Sequence, residues 1–360
     1  MAITTEQVLD ALRNVDDPDL KKDIVTLGMV KDIVINDKKV AFTVVLTTPA
    51  CPMKDMIQRA CVNAVKYYVD KEATVDVHMT ANVTSQRNGP LLPGVKNIIA
   101  VASGKGGVGK STVAANLAAA LAMQGAKVGL IDADIYGPSM TIMFDVVNEK
   151  PALRDVNSKT MMVPVESYGV QIMSMGFFAN ANEAIVWRGP MVARALNQML
   201  SEADWGELDY MIIDLPPGTG DIHLSLVSAV PLTGVVIVST PQSVALADAK
   251  KGVAMFRMPA INVPVLGIVE NMAWFTPAEL PENKYFIFGR EGATRLAEDL
   301  DVPLLGQIPL VQSICEAGDA GRPAVLQRDT PQALAFLEVA GNVAQQVAIV
   351  NSSAKKEAVS

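Results

Sequence analysis

Apolar and polar positions follow two rhythms along the chain. Up to residue 84 the apolar runs are short. Residues 6–14 read as a helix, Lys31–Asn36 and Lys39–Leu46 as strands around a tight turn, Lys54–Asp70 as a helix and Thr74–Met79 as a strand. This is a small α+β unit over residues 1–84. Ser85 to Pro90 and Pro93-Gly94 carry the turn-forming residues of a linker, placed at 85–96. From 97 to 350 the rhythm changes. Asn97–Ala102, Lys127–Asp132, Asp209–Asp214 and Gly234–Ser239 are apolar runs, separated by helical stretches. Strands that are apolar on both faces belong to a parallel sheet covered on both sides. The pattern predicts an α/β domain with a mostly parallel sheet and helices on both faces. The polar end, 351–360, is expected to be disordered.

Composition narrows the setting. Half of the 360 residues are hydrophobic, enough for a large core, and the formal net charge is −8. That balance argues against non-specific nucleic-acid binding, which needs a basic face, and leaves a local basic patch open. Met1–Asp10 lacks the basic-then-apolar order of a secretion signal. Leu224–Ala247 is uncharged and long enough to span a bilayer, but Pro231, Gly234 and Pro241 interrupt it. Residues 332–350 are apolar and nearly uncharged, which suits docking into the protein better than lying on a membrane. A soluble, cytoplasmic protein is expected, with no nucleic-acid or membrane partner. The three cysteines, Cys51, Cys61 and Cys315, form no C-x-x-C, and the two histidines, His78 and His223, have no zinc-ligand spacing. Reduced thiols and surface or packed histidines follow.

Chemistry concentrates in Gly104-Lys105-Gly106-Gly107-Val108-Gly109-Lys110-Ser111-Thr112, which fits the phosphate-loop pattern G-x-x-x-x-G-K-[ST]. Strand Asn97–Ala102 enters the loop and an Ala- and Leu-rich helix, 110–124, leaves it. Backbone N–H groups and the helix dipole then face the phosphates. Lys110 is expected to reach the β- and γ-phosphates and Ser111 to ligate Mg²⁺. Two more strands end in carboxylates, at Asp132-Ala133-Asp134 and at Asp214. Pro216-Pro217-Gly218-Thr219-Gly220-Asp221 follows, and Gly218 could let its N–H approach a γ-phosphate.

The second lysine of the loop, Lys105, resembles the deviant Walker A loop of the MinD/ParA/nitrogenase-iron-protein class. The resemblance implies that Lys105 acts across a homodimer on the partner's nucleotide, where phosphoryl transfer builds negative charge. It further implies that Asp134 orients attacking water in a first switch and that Asp214 holds Mg²⁺ through water. Asn271, in Val269-Glu270-Asn271-Met272, would contact the adenine of ATP.

The small unit has its own candidate. Cys51, in Thr47-Thr48-Pro49-Ala50-Cys51-Pro52, falls near a helix start, where the dipole should lower a thiol pKa. With Asp17-Pro18-Asp19-Leu20 and Asp23–Gly28, the stretch resembles the small domain of iron–sulfur assembly proteins. Cys51 is the candidate iron–sulfur or redox thiol, against a structural role. Cys61 and Cys315 read as core.

Together these features resemble the Mrp/ApbC family of iron–sulfur cluster carriers over nearly the whole chain. Asp134-Ile135-Tyr136-Gly137-Pro138-Ser139 and Trp187-Arg188-Gly189-Pro190-Met191 carry the resemblance beyond the wider class. Many members have a C-x-x-C shortly after Glu-Asn-Met, supplying four thiolates to a [4Fe–4S] cluster between two subunits. Here Ala273-Trp274-Phe275-Thr276-Pro277-Ala278-Glu279-Leu280 follows, without cysteine. The resemblance implies a dimeric Mg-dependent ATPase that carries clusters to client apoproteins or works with other assembly factors. The alternatives are a positioning or accessory ATPase switch that binds no cluster, and a small-molecule kinase.

Overall fold

The computed structural model describes residues 3–85, 92–135, 137–156, 159–178, 189–219, 223, 227, 230–277 and 279–357. Tyr136, Trp187, Arg188, Gly220 and Asp221 of the sequence motifs lie outside them, as do residues 86–91 of the linker and Ala358–Ser360. Two compact units emerge, residues 1–86 with 344–360, and residues 87–343.

The first unit starts with helix α1 (Thr5–Leu12), closed at its N-terminus by a capping box between Thr4 and Gln7. A two-residue pair, β1 (Asp16–Asp17) and β2 (Lys22–Asp23), comes next. Strands β3 (Val30–Asn36), β4 (Lys39–Leu46) and β5 (Thr74–Ala81) form a three-stranded sheet in that order. In β4, Val40, Phe42, Val44 and Leu46 alternate inward against Ile57, Cys61 and Val65 of helix α2 (Lys54–Tyr68).

The second unit is built on an eight-stranded sheet, in the order β10-β11-β7-β12-β6-β13-β14-β15. Its strands are β6 (Val95–Ala102), β7 (Val128–Asp132), β10 (Val165–Ser167), β11 (Val170–Ser174), β12 (Leu208–Asp214), β13 (Gly234–Ser239), β14 (Val265–Phe275) and β15 (Leu304–Leu310). All pair in parallel except the edge strand β10. Ile98, Ala100 and Ala102 share one core with Leu196 and Leu200 of α5 (Gly189–Ser201), Val253 of α6 (Ser243–Phe256) and Leu296 of α7 (Gly292–Asp299). Ile99 and Val101 are equally buried and alternate to the opposite face, where α3 (Lys110–Met123) packs. A hairpin of β8 (Ala152–Val156) and β9 (Lys159–Val163) stands apart from this sheet.

Two expected boundaries move. The linker gives way at Val95, which is buried and already paired with Leu208. Of the end expected to be disordered, residues 351–357 are helical, because α9 runs Pro331–Glu357. Its Asn351 is buried and donates to the Thr84 carbonyl at 2.9 Å, so this polar residue makes a satisfied contact rather than facing solvent. Pro331–Ser353 is long and apolar enough to cross a membrane, but half of that window is buried inside the protein. Asn342 there donates to the Leu305 carbonyl at 2.9 Å, as suits a core helix.

Strand order decides where the chemistry collects. β12 lies between β6 and β7, so the loop leaving β6 and the ends of β7 and β12 open side by side. Asp214 is in register with both Asp132 and Val101.

Candidate functional site

The loop after β6 has the shape its glycines permit. Gly107 and Gly109 have φ of +80° and +79°, where a side chain would be strained. A Cβ on Gly104 would sit 2.2 Å from the backbone of Asp248. The loop hands over to α3 at Lys110, whose ammonium folds back under it.

Lys110 Nζ lies 2.5 Å from Asp214 Oδ1, 3.8 Å from Asp134 Oδ2 and 3.2 Å from Ser111 Oγ. Ser111 Oγ donates to Asp214 Oδ2 at 2.6 Å. The structure thus brings together Lys110 and Ser111, Asp134 and Asp214 from three segments far apart in sequence. Burial pushes the Asp132 carboxyl up to about 7, and the charge of Asp214 pushes the same way. Burial also raises Asp214, against the pull of Lys110. Asp134 Oδ1 is buried without a hydrogen-bond partner among the described residues. A buried acceptor of this kind awaits a donor such as water.

Ser111 and Asp214 offer hard oxygen donors at one point, beside the space where phosphates would lie. Mg²⁺ typically takes one or two carboxylates together with substrate phosphates, and the donor set fits it. Among the described residues no three His, Cys, Asp or Glu side chains gather into an all-protein metal site.

Asn271 is aimed at the loop by an irregularity in β14. Met272 adopts φ +56°, and the pairing with β15 shifts register between Asn271 and Phe275. Asn271 Nδ2 donates to the Val108 carbonyl at 2.9 Å. Asn271, Gly109 and Thr112 line a cleft of about 440 Å³. Its far wall is Val311, Ile314 and Cys315, the last two from α8 (Gln312–Asp319).

Some expectations are corrected. Cys315, read as core, is exposed. The N–H of Gly218 donates to the Ser103 carbonyl at 3.0 Å and would have to leave it to meet a phosphate. Cys51 is half-buried and sits three residues before α2 begins. Burial pushes its thiol pKa up rather than down, and Asp19 and Asp17 add to the rise. Desolvation and two carboxylates outweigh the helix dipole there. Cys61 is in the core as expected, its thiol pushed up to about 12 by burial. Lys105 is half-exposed on the rim of the loop.

His223, expected as a surface or packed histidine, is buried close enough to feel the Lys110 charge. Burial first, and Lys110 second, push it down to about 4. Its Nε2 has no partner among the described residues. The folded protein therefore keeps it neutral while the unfolded chain protonates near 6.5. Stability present above about 6.5 should fall as the pH drops, by up to about 1.4 kcal/mol per unit, and level off near 4. Urea unfolding between pH 4 and 7 measures this slope, and His223→Gln should lower it by up to one proton.

Residues 94–344 match the family model of the NUBPL iron-transfer P-loop NTPase, and residues 5–77 match that of an iron–sulfur cluster assembly protein. The iron–sulfur cluster carrier protein of a Synechocystis species is 45% identical over 351 residues, covering 96% of this chain and 99% of that protein. The Escherichia coli protein of the same description is 42% identical, covering 94% and 91%. The iron–sulfur cluster transfer protein NUBPL of Dictyostelium discoideum is 47% identical over 74% of this chain and 81% of its own. Among solved structures, an Archaeoglobus fulgidus nucleotide-binding protein in complex with ADP superposes with a TM-score of 0.59. It is 37% identical, covering 68% of this chain and 93% of that one.

Proposed function

The chain belongs to the NUBPL-type family of iron–sulfur cluster carrier P-loop NTPases, the Mrp/ApbC group its motifs resemble, and from that premise we propose that it is an ATP-hydrolysing, dimeric carrier that delivers clusters to apoproteins in the cytoplasm. The observation that supports the hydrolytic part best is the Lys110–Asp214–Ser111 contact under the phosphate loop. Phosphates entering the loop would compete for the Lys110 ammonium and draw it off Asp214. Ser111 and the freed Asp214 would then hold Mg²⁺, which would screen phosphate charge. Asp134, with its buried unpartnered oxygen, would orient the attacking water. Lys105 of a second copy would add positive charge to the transferring group. Asn271 braces the loop through Nδ2 and leaves its carboxamide oxygen to meet an adenine amino group.

The cluster is cargo here, and its thiols must come from a small set. Cys51 and Cys61 belong to the first unit and Cys315 to the second. Cys61 is closed in the core. Iron at Cys51 would have to displace a firmly held thiol proton, which makes for a weak, easily transferred site shared with a client or small thiol. The raised Cys51 thiol and the missing C-x-x-C also favour a second reading, an accessory ATPase that carries no cluster itself.

Anaerobic reconstitution separates the two. Iron and acid-labile sulfide should be found on the wild type and Cys315→Ala, released readily to a chelator, and lost in Cys51→Ala. A stable stoichiometric cluster that survives Cys51→Ala defeats the Cys51 assignment. No cluster in any variant, with ATP turnover intact, selects the accessory reading.

A further inference from the structure

The first carboxylate of Asp132-Ala133-Asp134 has no part in the scheme above, yet it is the more heavily bonded of the two. Asp132 is fully buried at the end of β7. Its Oδ1 accepts the N–H of Asp134 at 3.2 Å. Its Oδ2 accepts the N–H groups of Ser139 and Met140, both at 3.0 Å, and the hydroxyl of Ser174 at 2.9 Å. Ser174 is itself fully buried, stands in register with Asp132 on β11, and accepts the N–H of Gly176 at 3.0 Å.

Among the described residues these four donors come from both ends of one loop and from the neighbouring strand. The loop leaves β7 at Asp134 and re-enters regular structure at the short helix α4 (Met140–Met143). It carries the carboxylate that faces Lys110 at 3.8 Å. We propose that Asp132 is the positioning residue of this loop: it ties the exit and the return of residues 134–140 to the sheet, and so sets where Asp134 stands over the phosphate site. Ser174 carries the tie across to β11. The inference rests on the hydrolytic reading of the site and adds the part that holds its water-orienting group.

The donors around Asp132 favour its ionised form, which only accepts, against the burial that raises its pKa. Asparagine has nearly the same shape but turns an NH₂ toward at least one of the four donors, leaving buried groups unpaired. Lys110, Ser111 and the loop N–H groups, which hold nucleotide, make no hydrogen bond to Asp132, so affinity and turnover should part company.

The experiment compares wild type, Asp132→Asn and Ser174→Ala. Measurements are kcat for ATP, the Kd of a fluorescent ADP analogue, and hydrogen exchange read by NMR at the amides of Asp134, Ser139 and Met140. Asp132→Asn should lose about tenfold or more in kcat with Kd changed by no more than about threefold, and those three amides should exchange about tenfold faster. Exchange in α3 should be unchanged. Ser174→Ala removes one donor of four and should show the same pattern at smaller amplitude, which keeps the test open if Asp132→Asn does not fold. Unchanged exchange at the three amides, or equal losses in kcat and affinity, overturns the proposal. If the wild type turns over no ATP, the hydrolytic reading fails and the exchange measurements alone decide whether Asp132 ties the loop.

Discussion

Lys110→Ala should reduce ATP turnover by about a hundredfold or more, the scale seen when a charge-stabilising group is removed from a water-excluded site. The loss has two parts. One is the charge-assisted contact to the β- and γ-phosphates. The other lies in the nucleotide-free protein, where Lys110 holds Asp214 at 2.5 Å and both are buried. Alanine leaves the Asp214 carboxylate without its countercharge, a change that costs about 3–5 kcal/mol where one partner of a buried pair is deleted. Lys110→Ala should therefore be both inactive and less stable. Adding Asp214→Asn removes the orphaned charge and should recover much of the stability while activity stays lost. Thermal unfolding and steady-state turnover of the single and double variants read the two parts separately. Turnover near wild type in a folded Lys110→Ala protein rejects the phosphate-loop assignment.

The same contacts explain which parts of the site were legible in the chain. Gly104–Thr112 could be read because each residue's chemistry is local: glycines for positive φ and close approach, a lysine and a serine at the helix start. The strand-end carboxylates Asp134 and Asp214 could be read because continuous apolar runs precede them. The role of Asp132 was not legible, because it depends on β7 lying beside β11 and on a serine forty-two positions away. The Cys51 thiol misled for a related reason. A nearby helix start suggested a low pKa, but burial and the carboxylates of Asp17 and Asp19 are products of folding and dominate. His223 belongs with it, since nothing adjacent in sequence says that it is buried near the Lys110 charge. Cys315 was misread as core because an eight-residue helix with few apolar residues does not announce which side faces a cleft. At the C-terminus, a polar segment extends a helix by one more buried asparagine, a contact made with residue 84 and invisible from composition.

Lys105 poses the sharper test, because the role proposed for it needs a second copy of the chain. It follows Gly104, which is wedged against the backbone of Asp248, and precedes two glycines that are exposed. Its carbonyl accepts the Ser103 hydroxyl at 2.9 Å, so the backbone is held while the side chain stands at the rim. It makes no ion pair with any described residue of its own chain, in contrast to Lys110 a few positions on. A lysine held in this way can meet a phosphate on a facing subunit. Lys105→Ala should then bind nucleotide nearly as well as wild type and lose turnover by about a hundredfold, since on this proposal its charge would act only in the assembled transition state. Mixing supplies the decisive comparison. In a heterodimer of Lys105→Ala with Lys110→Ala, the site on the Lys105→Ala subunit keeps its own Lys110 and, in the trans arrangement, receives an intact Lys105 from its partner. The other site has neither lysine. One complete site forms, so the mixture should regain up to half of the normal dimer's turnover per heterodimer although both parents are inactive, whereas action within one chain leaves both sites incomplete and the mixture inactive. A heterodimer of the double variant Lys105→Ala/Lys110→Ala with wild type leaves one site with Lys110 but no partner Lys105, and the other with Lys105 but no Lys110. If Lys105 acts within its own chain, the wild-type subunit of that pair retains half of the normal dimer's turnover. If it acts in trans, that subunit loses its activity too, and titrating the double variant into wild type should depress turnover well below the dilution line.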